Sequence, residues 1–129
     1  MNYKTFDEFW SEFLQVTFHL GNPERWTARD MRSDWVKGIL NLQNGRLLNL
    51  GCGDGLLDIW LSRKGFDVTA VDRAESVLKL TRKEDDTQKI LFLAEDFRRL
   101  DFAPVSFDAI LLLETCGLMR VSEDSDLIQ

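Results

Sequence analysis

The sequence predicts an α/β fold, a doubly wound and mostly parallel sheet of about four strands preceded by two N-terminal helices. Three observations carry that expectation. Apolar residues recur at helical spacing before Gly45, and from Arg46 onward short apolar runs alternate with helical segments, the pattern of β-α-β units. A turn with glycines at alternate positions, Gly51, Gly53 and Gly55, joins the first apolar run to the helix that follows it.

Thr5 to Glu8 has the spacing of a capping box, and Phe6, Phe9, Trp10 and Phe13 then fall on one face, so residues 6–18 read as an amphipathic helix. Gly21-Asn22-Pro23 ends it, because proline cannot continue the hydrogen-bond ladder. Thr27 and Asp30 repeat the capping spacing. Trp26 and Met31 form a staple, and Met31, Trp35, Ile39 and Leu42 continue one stripe to a stop at Asn44-Gly45. Residues 1–45 therefore form a helical lid or cap, and residues 46–129 form the sheet-containing core. Strands are expected at Leu47 to Leu50, Phe66 to Val71, Ile90 to Leu93 and Ala109 to Leu113, the last apolar enough to be central. Helices are expected from Gly55 to Lys64, closed by Gly65, and from Ala74 to Lys83, followed by the polar loop Glu84 to Thr87.

With 129 residues, 44% of them apolar, the chain is long enough to bury one modest core. Its net charge of −6 argues against a broad phosphate-binding surface, so no nucleic-acid partner is expected. No run approaches the roughly 20 apolar residues that span a bilayer, and the acidic N-terminal stretch is unlike a secretion signal. A cytoplasmic protein is the expectation. Cys52 and Cys116 stand far apart without a nearby Cys/His cluster, which suggests neither a disulfide nor a metal site. His19 is the only histidine, so chemistry needing two is excluded.

The chemistry concentrates in Leu48-Asn49-Leu50-Gly51-Cys52-Gly53-Asp54-Gly55. Glycines there let the backbone turn sharply and come close to a ligand, and the next helix presents unpaired N–H groups. Twenty-one residues after Gly51, Asp72 ends the second strand, where a carboxylate accepts from both ribose hydroxyls of an adenosine lying across the strand ends.

These residues give the chain a specific likeness. LLNLGCGDG resembles the first motif of class I S-adenosylmethionine-dependent methyltransferases, VTAVD is similar to their second, and FLAEDFRRLDFAPVSFDAILLLE resembles the third and fourth. The resemblance covers residues 46–120 and implies a Rossmann-like fold, S-adenosylmethionine as cofactor and methyl transfer to a small-molecule acceptor. It implies that Gly51, Cys52, Gly53 and Gly55 make room for the methionine and ribose portions, that Asp72 and the adjoining Arg73 lie at the ribose, and that Asp96 accepts from the adenine amino group beside Phe97. Glu114 falls where the fourth strand meets the transfer cleft. Asn49 departs from the family, which usually has an acid there to anchor the charged end of the cofactor.

Other readings stand beside these. Asp96 precedes a polar turn and equally suits a cap, Cys52 suits a small filler, and the Phe6-Trp10 face suits core packing as well as a lid over an apolar substrate. His19 and Glu114 are the candidates to take a proton from the acceptor. A nicotinamide-dependent oxidoreductase would show G-x-G-x-x-G, whereas here the third glycine is Gly55 and the sixth position is Leu56. A third reading is a non-catalytic or truncated chain of the same fold. The apolar strand at Ala109 to Leu113 would then need a second copy or a completing partner at its edge.

Overall fold

The computed structural model describes residue 8, residues 23–104 and residues 106–113. His19, Glu114, Cys116 and, apart from Glu8, the helix expected over 6–18 lie outside the described residues. In order, the elements are α1 (Pro23–Leu40), β1 (Gly45–Leu50), α2 (Leu56–Arg63), β2 (Phe66–Asp72), α3 (Glu75–Glu84), β3 (Leu91–Ala94), a 3-10 turn (Phe97–Arg99) and β4 (Ala109–Leu111). The strands form one parallel sheet in the order β3-β2-β1-β4. Growth of the sheet reverses at β1, so the crevice where open α/β sheets bind ligands lies beyond the carboxyl end of that strand. This is the Rossmann-like architecture expected from the alternation of runs and helices.

The helix before the sheet departs from the expectation in three ways. It begins at Pro23 rather than at Thr27, because proline's fixed φ and missing N–H suit the first helical turn. Thr27 lies inside the helix, its hydroxyl donating to the Pro23 carbonyl at 3.1 Å. The helix also ends early, at Leu40. Asn41 takes a left-handed φ of 53° and donates its N–H to the Lys37 carbonyl at 3.0 Å, a helix stop that asparagine tolerates.

The third departure concerns which face is buried. Met31, Trp35 and Ile39 are 70%, 57% and 67% exposed, so the predicted stripe faces outward. The inward face is Trp26, Ser33, Val36 and Leu40, also at helical spacing. Ser33 is small enough to bring α1 close to α2, and its hydroxyl is satisfied locally by the Asp30 carbonyl at 2.6 Å.

Strand register sorts the sheet into two unlike faces. Leu47, Val68, Ala70, Phe92 and Leu111 lie on one, fully buried with Leu56, Ile59 and Leu61 of α2, Leu78 of α3 and Val36 of α1. On the other, Leu91, Thr69, Leu48 and Ile110 form one row across the four strands. Leu48 at its centre is buried, but Leu91 and Ile110 at its ends are 53% and 57% exposed. β4 is thus an edge strand among the described residues, shorter than predicted and covered on one face only.

Truncating Leu47 to alanine should lower stability by about 2–5 kcal/mol, as expected for a buried leucine, while Ile110→Ala should change it by about 0.5 kcal/mol or less. Urea denaturation of the two variants checks the assignment of faces. Equal losses would mean that the second face is covered.

Candidate ligand site at the glycine turn

β1 runs straight into the turn. Gly51, Gly53 and Gly55 all have left-handed φ, at 77°, 62° and 71°, and the N–H groups of Gly51 and Cys52 both donate to the Val71 carbonyl, at 2.8 and 2.9 Å. The turn is thereby held over the end of β2. Gly55 ends the turn as the residue before α2, and a Cβ there would lie 2.9 Å from both Phe92 Cε1 and Thr81 Cγ2. Its identity is thus fixed by conformation and by close packing on β3 and α3.

Asp72 closes the site from β2. One carboxylate oxygen accepts the Gly53 N–H at 2.9 Å and the other accepts the Ala74 N–H at 3.0 Å. The predicted ribose-binding acid therefore also shapes the turn, since its two backbone bonds set the position of its oxygens. Next to it, a cleft of about 260 Å³ opens beyond the ends of β2 and β3, lined by Arg73, Ala94, Glu95, Asp96 and Arg99.

Asp96 serves as a cap as well as a lining residue. Its carboxylate accepts from the Arg98 backbone N–H at 3.0 Å and pairs with the Arg98 guanidinium, whose hydrogen bond draws the acid down to about 2. Phe97 follows in the 3-10 turn and is half-buried, outside the cleft lining.

Beneath the turn, Asn49 points into the covered face of the sheet. Its side-chain N–H donates to Asp58 of α2 at 2.9 Å, with both residues buried. Burial pushes the Asp58 carboxyl up to about 7, assisted by Asp54 and Asp72 and opposed by the Asn49 bond. Asp54, also buried, pairs with Arg25 of α1, accepts the Leu56 N–H at 3.2 Å, and receives the Thr81 hydroxyl on its backbone carbonyl at 2.6 Å. The Cys52 thiol is raised well above its usual range, first by burial and then by Asp58, Asp72 and Asp54, so it is an uncharged group in the turn.

The structure thus brings together Asn49, Gly51, Cys52, Gly53, Gly55, Asp72, Arg73 and Asp96 at the carboxyl end of β1, β2 and β3. Arg25, Asp58 and Thr81 were not singled out in the sequence. For Asp58 the available signal was indirect: α2 is enclosed by α1 on one side and the sheet on the other, so positions beyond its apolar stripe become buried too.

An open parallel sheet with a glycine turn and a strand-end acid at its switch point defines a Rossmann-like ligand-binding domain. Residues 47–129 match the family model described as a methyltransferase domain, and the chain belongs to that family. It is 37% identical over 84 residues to YqeM of Bacillus subtilis, a protein named only as a candidate methyltransferase, covering 64% of this chain and 34% of that one. It is 32% identical over 103 residues to the ubiquinone biosynthesis O-methyltransferase of Paracidovorax citrulli, covering 77% and 42%. Among solved structures, magnesium protoporphyrin IX methyltransferase from Synechocystis with bound SAH superposes with a TM-score of 0.65 at 21% identity, over 81% of this chain and 48% of that one. At that identity the likeness shows the fold. The chain spans 34% and 42% of the length of the two sequence relatives.

Replacing Gly55 with alanine should cost about 2–5 kcal/mol, combining left-handed strain of about 1–2 kcal/mol with overpacking of about 1–3 kcal/mol. Denaturant midpoints read this directly. A near-neutral change would show that Phe92 and Thr81 yield freely.

Proposed function

We propose that this chain holds the cofactor site of an S-adenosylmethionine-dependent methyltransferase acting on a small-molecule acceptor. One observation supports it above the rest: Asp72, fixed by backbone N–H groups from both sides, ends β2 beside a polar cleft of about 260 Å³. The donor set fits the cofactor. Gly51 and Gly53 offer backbone without side chains at the turn, and Asp72 offers carboxylate oxygens of the kind that accept from ribose hydroxyls. Arg73 and Asp96 flank the adenine side, and Phe97 stands just outside. When bound, S-adenosylmethionine supplies an activated methyl group, so the protein's task is to align and desolvate the reactants. His19 and Glu114 remain our candidates for relieving the acceptor of its proton. Residues 1–45 are read as a lid or cap on the acceptor side, and the cytoplasm as the place of action.

Calorimetric titration with S-adenosylmethionine, S-adenosylhomocysteine and NAD tests the reading. Saturable binding of the first two, none of NAD, and loss of binding in Asp72→Ala are the expected outcomes. Binding of NAD alone would favour an oxidoreductase, and a folded chain that binds none of the three would favour a non-catalytic role.

The exposed ends of the row on the second sheet face, Leu91 and Ile110, extend the proposal, because parallel sheets are buried on both faces in stable proteins. We read that face as the contact for a second copy of the chain or a completing partner. Sedimentation of the purified chain should show self-association that Ile110→Lys reduces, and a clean monomer at every concentration counts against a second copy.

A further inference from the structure

Asp58 and Asn49 meet in the buried layer between α2 and β1, and each leaves one acceptor over. Asn49 Nδ2 donates to Asp58 Oδ1 at 2.9 Å. The remaining pair, Asn49 Oδ1 and Asp58 Oδ2, are buried acceptors with no hydrogen-bond partner among the described residues. Two buried acceptors on side chains already joined by one hydrogen bond are costly unless a donor reaches them. A single proton on Asp58 Oδ2 would supply the missing donor, and its O–H directed at Asn49 Oδ1 would make a two-bond acid–amide pair.

We propose that Asp58 is a positioning residue of the cofactor site, held as a neutral acid in a reciprocal pair with Asn49, and that its ionisation loosens the turn that follows β1. The inference rests on the cofactor-site reading above. Asn49 stands two residues before Gly51, so whatever fixes its side chain fixes the exit of β1 into the turn. The likeness to the methyltransferases expects an acid at position 49. Here the amide is on the strand and the carboxyl faces it from the helix, so a second bond back to Asn49 Oδ1 needs a proton on the carboxyl.

The surroundings favour that proton. From the turn, Asp54 and the uncharged thiol of Cys52 face the pair, and from β2 the carboxylate of Asp72 does so. α1 contributes Arg25, whose guanidinium is engaged by Asp54. Burial and these two acids together place the Asp58 carboxyl at about 7 against an ordinary 3.8. The folded chain therefore binds more protons than the unfolded chain between those values. Asp58's contribution to stability falls as pH rises from about 4 to about 7 and is level above that, the reverse of a salt-bridged aspartate.

The test is titration of the full chain with S-adenosylhomocysteine across pH about 5 to about 9, together with ¹³C NMR of the aspartate carboxyls assigned through Asp58→Asn. The Asp58 carboxyl should titrate near 7, and affinity should weaken by about fivefold or more above that midpoint, the low end of ordinary coupling between sites. Asp58→Asn, which keeps both hydrogen bonds without a titrating group, should bind well throughout and lose the pH dependence. Asp58→Ala should bind weakly at every pH. A carboxyl that titrates near its ordinary value overturns the proposal, as does affinity that is flat through the midpoint in the wild type. If the wild type binds at no pH, the cofactor reading fails and the positioning role with it, while the NMR midpoint still decides whether the pair holds its proton.

Discussion

The carbonyl of Val71 is the point on which the architecture turns. Accepting from both Gly51 and Cys52, it obliges the chain leaving β1 to cross the end of β2 before reversing into α2. The reversal works only with left-handed backbone, which glycine supplies without steric cost. Because the same turn ends with Gly55 against Phe92 and Thr81, it joins β1, β2, β3 and α3 at one corner. The sheet's order follows from this corner: the turn ties β1 to β2, leaving the far side of β1 for β4.

A corner rich in backbone N–H groups attracts carboxylates, and three of them are buried there. Each is satisfied differently. Asp72 takes N–H groups from Gly53 and Ala74, Asp54 takes the Arg25 guanidinium and the Leu56 N–H, and Asp58 has only the amide of Asn49. Donors surround the first two, whereas the third is paired with no cation among the described residues, and burial moves its carboxyl up. Three like charges this close would repel strongly in a low-dielectric layer, so neutralising the least supported one is the economical arrangement.

The alternation of short apolar runs and helices was enough to place every described strand within about two residues, because burial on a parallel sheet demands nearly continuous apolar character. The glycine turn and Asp72 were equally legible, since their spacing reflects a fixed path from β1 through α2 and back along β2. The burial of α1 was not. Met31, Trp35 and Ile39 make an apolar stripe at helical spacing, yet the helix turns Ser33 and Val36 inward, where Ser33 also meets Lys64 at the end of α2. Asp58 was illegible for a related reason: it is buried where α2 meets Asn49 of β1, and no local pattern in the helix encodes that pairing. The dual use of Asp96 as cap and cleft wall was visible as two readings, and the structure realises the cap while leaving the residue on the cleft.

α1 and α2 are fastened at both ends by charges that run in opposite senses. At the start of α2, Arg25 of α1 reaches Asp54, and at its end Lys64 is surrounded by Asp30, Ser33 and Asp34 of α1. Burial works against the lysine's charge, but its bonds to Asp30 and Asp34 prevail and hold it above its usual range. Asp34 is largely exposed and adds little, so the clamp depends mainly on Asp30 and Ser33. Between the two ends, Trp26 meets Trp60 edge to face at 6.3 Å, with the Arg63 guanidinium 4.7 Å from the Trp60 ring. α1 therefore cannot slide along α2 without breaking an ion pair at one end. Arg25 and Asp54 then connect α1 to the glycine turn itself, since Asp54 lies between Gly53 and Gly55.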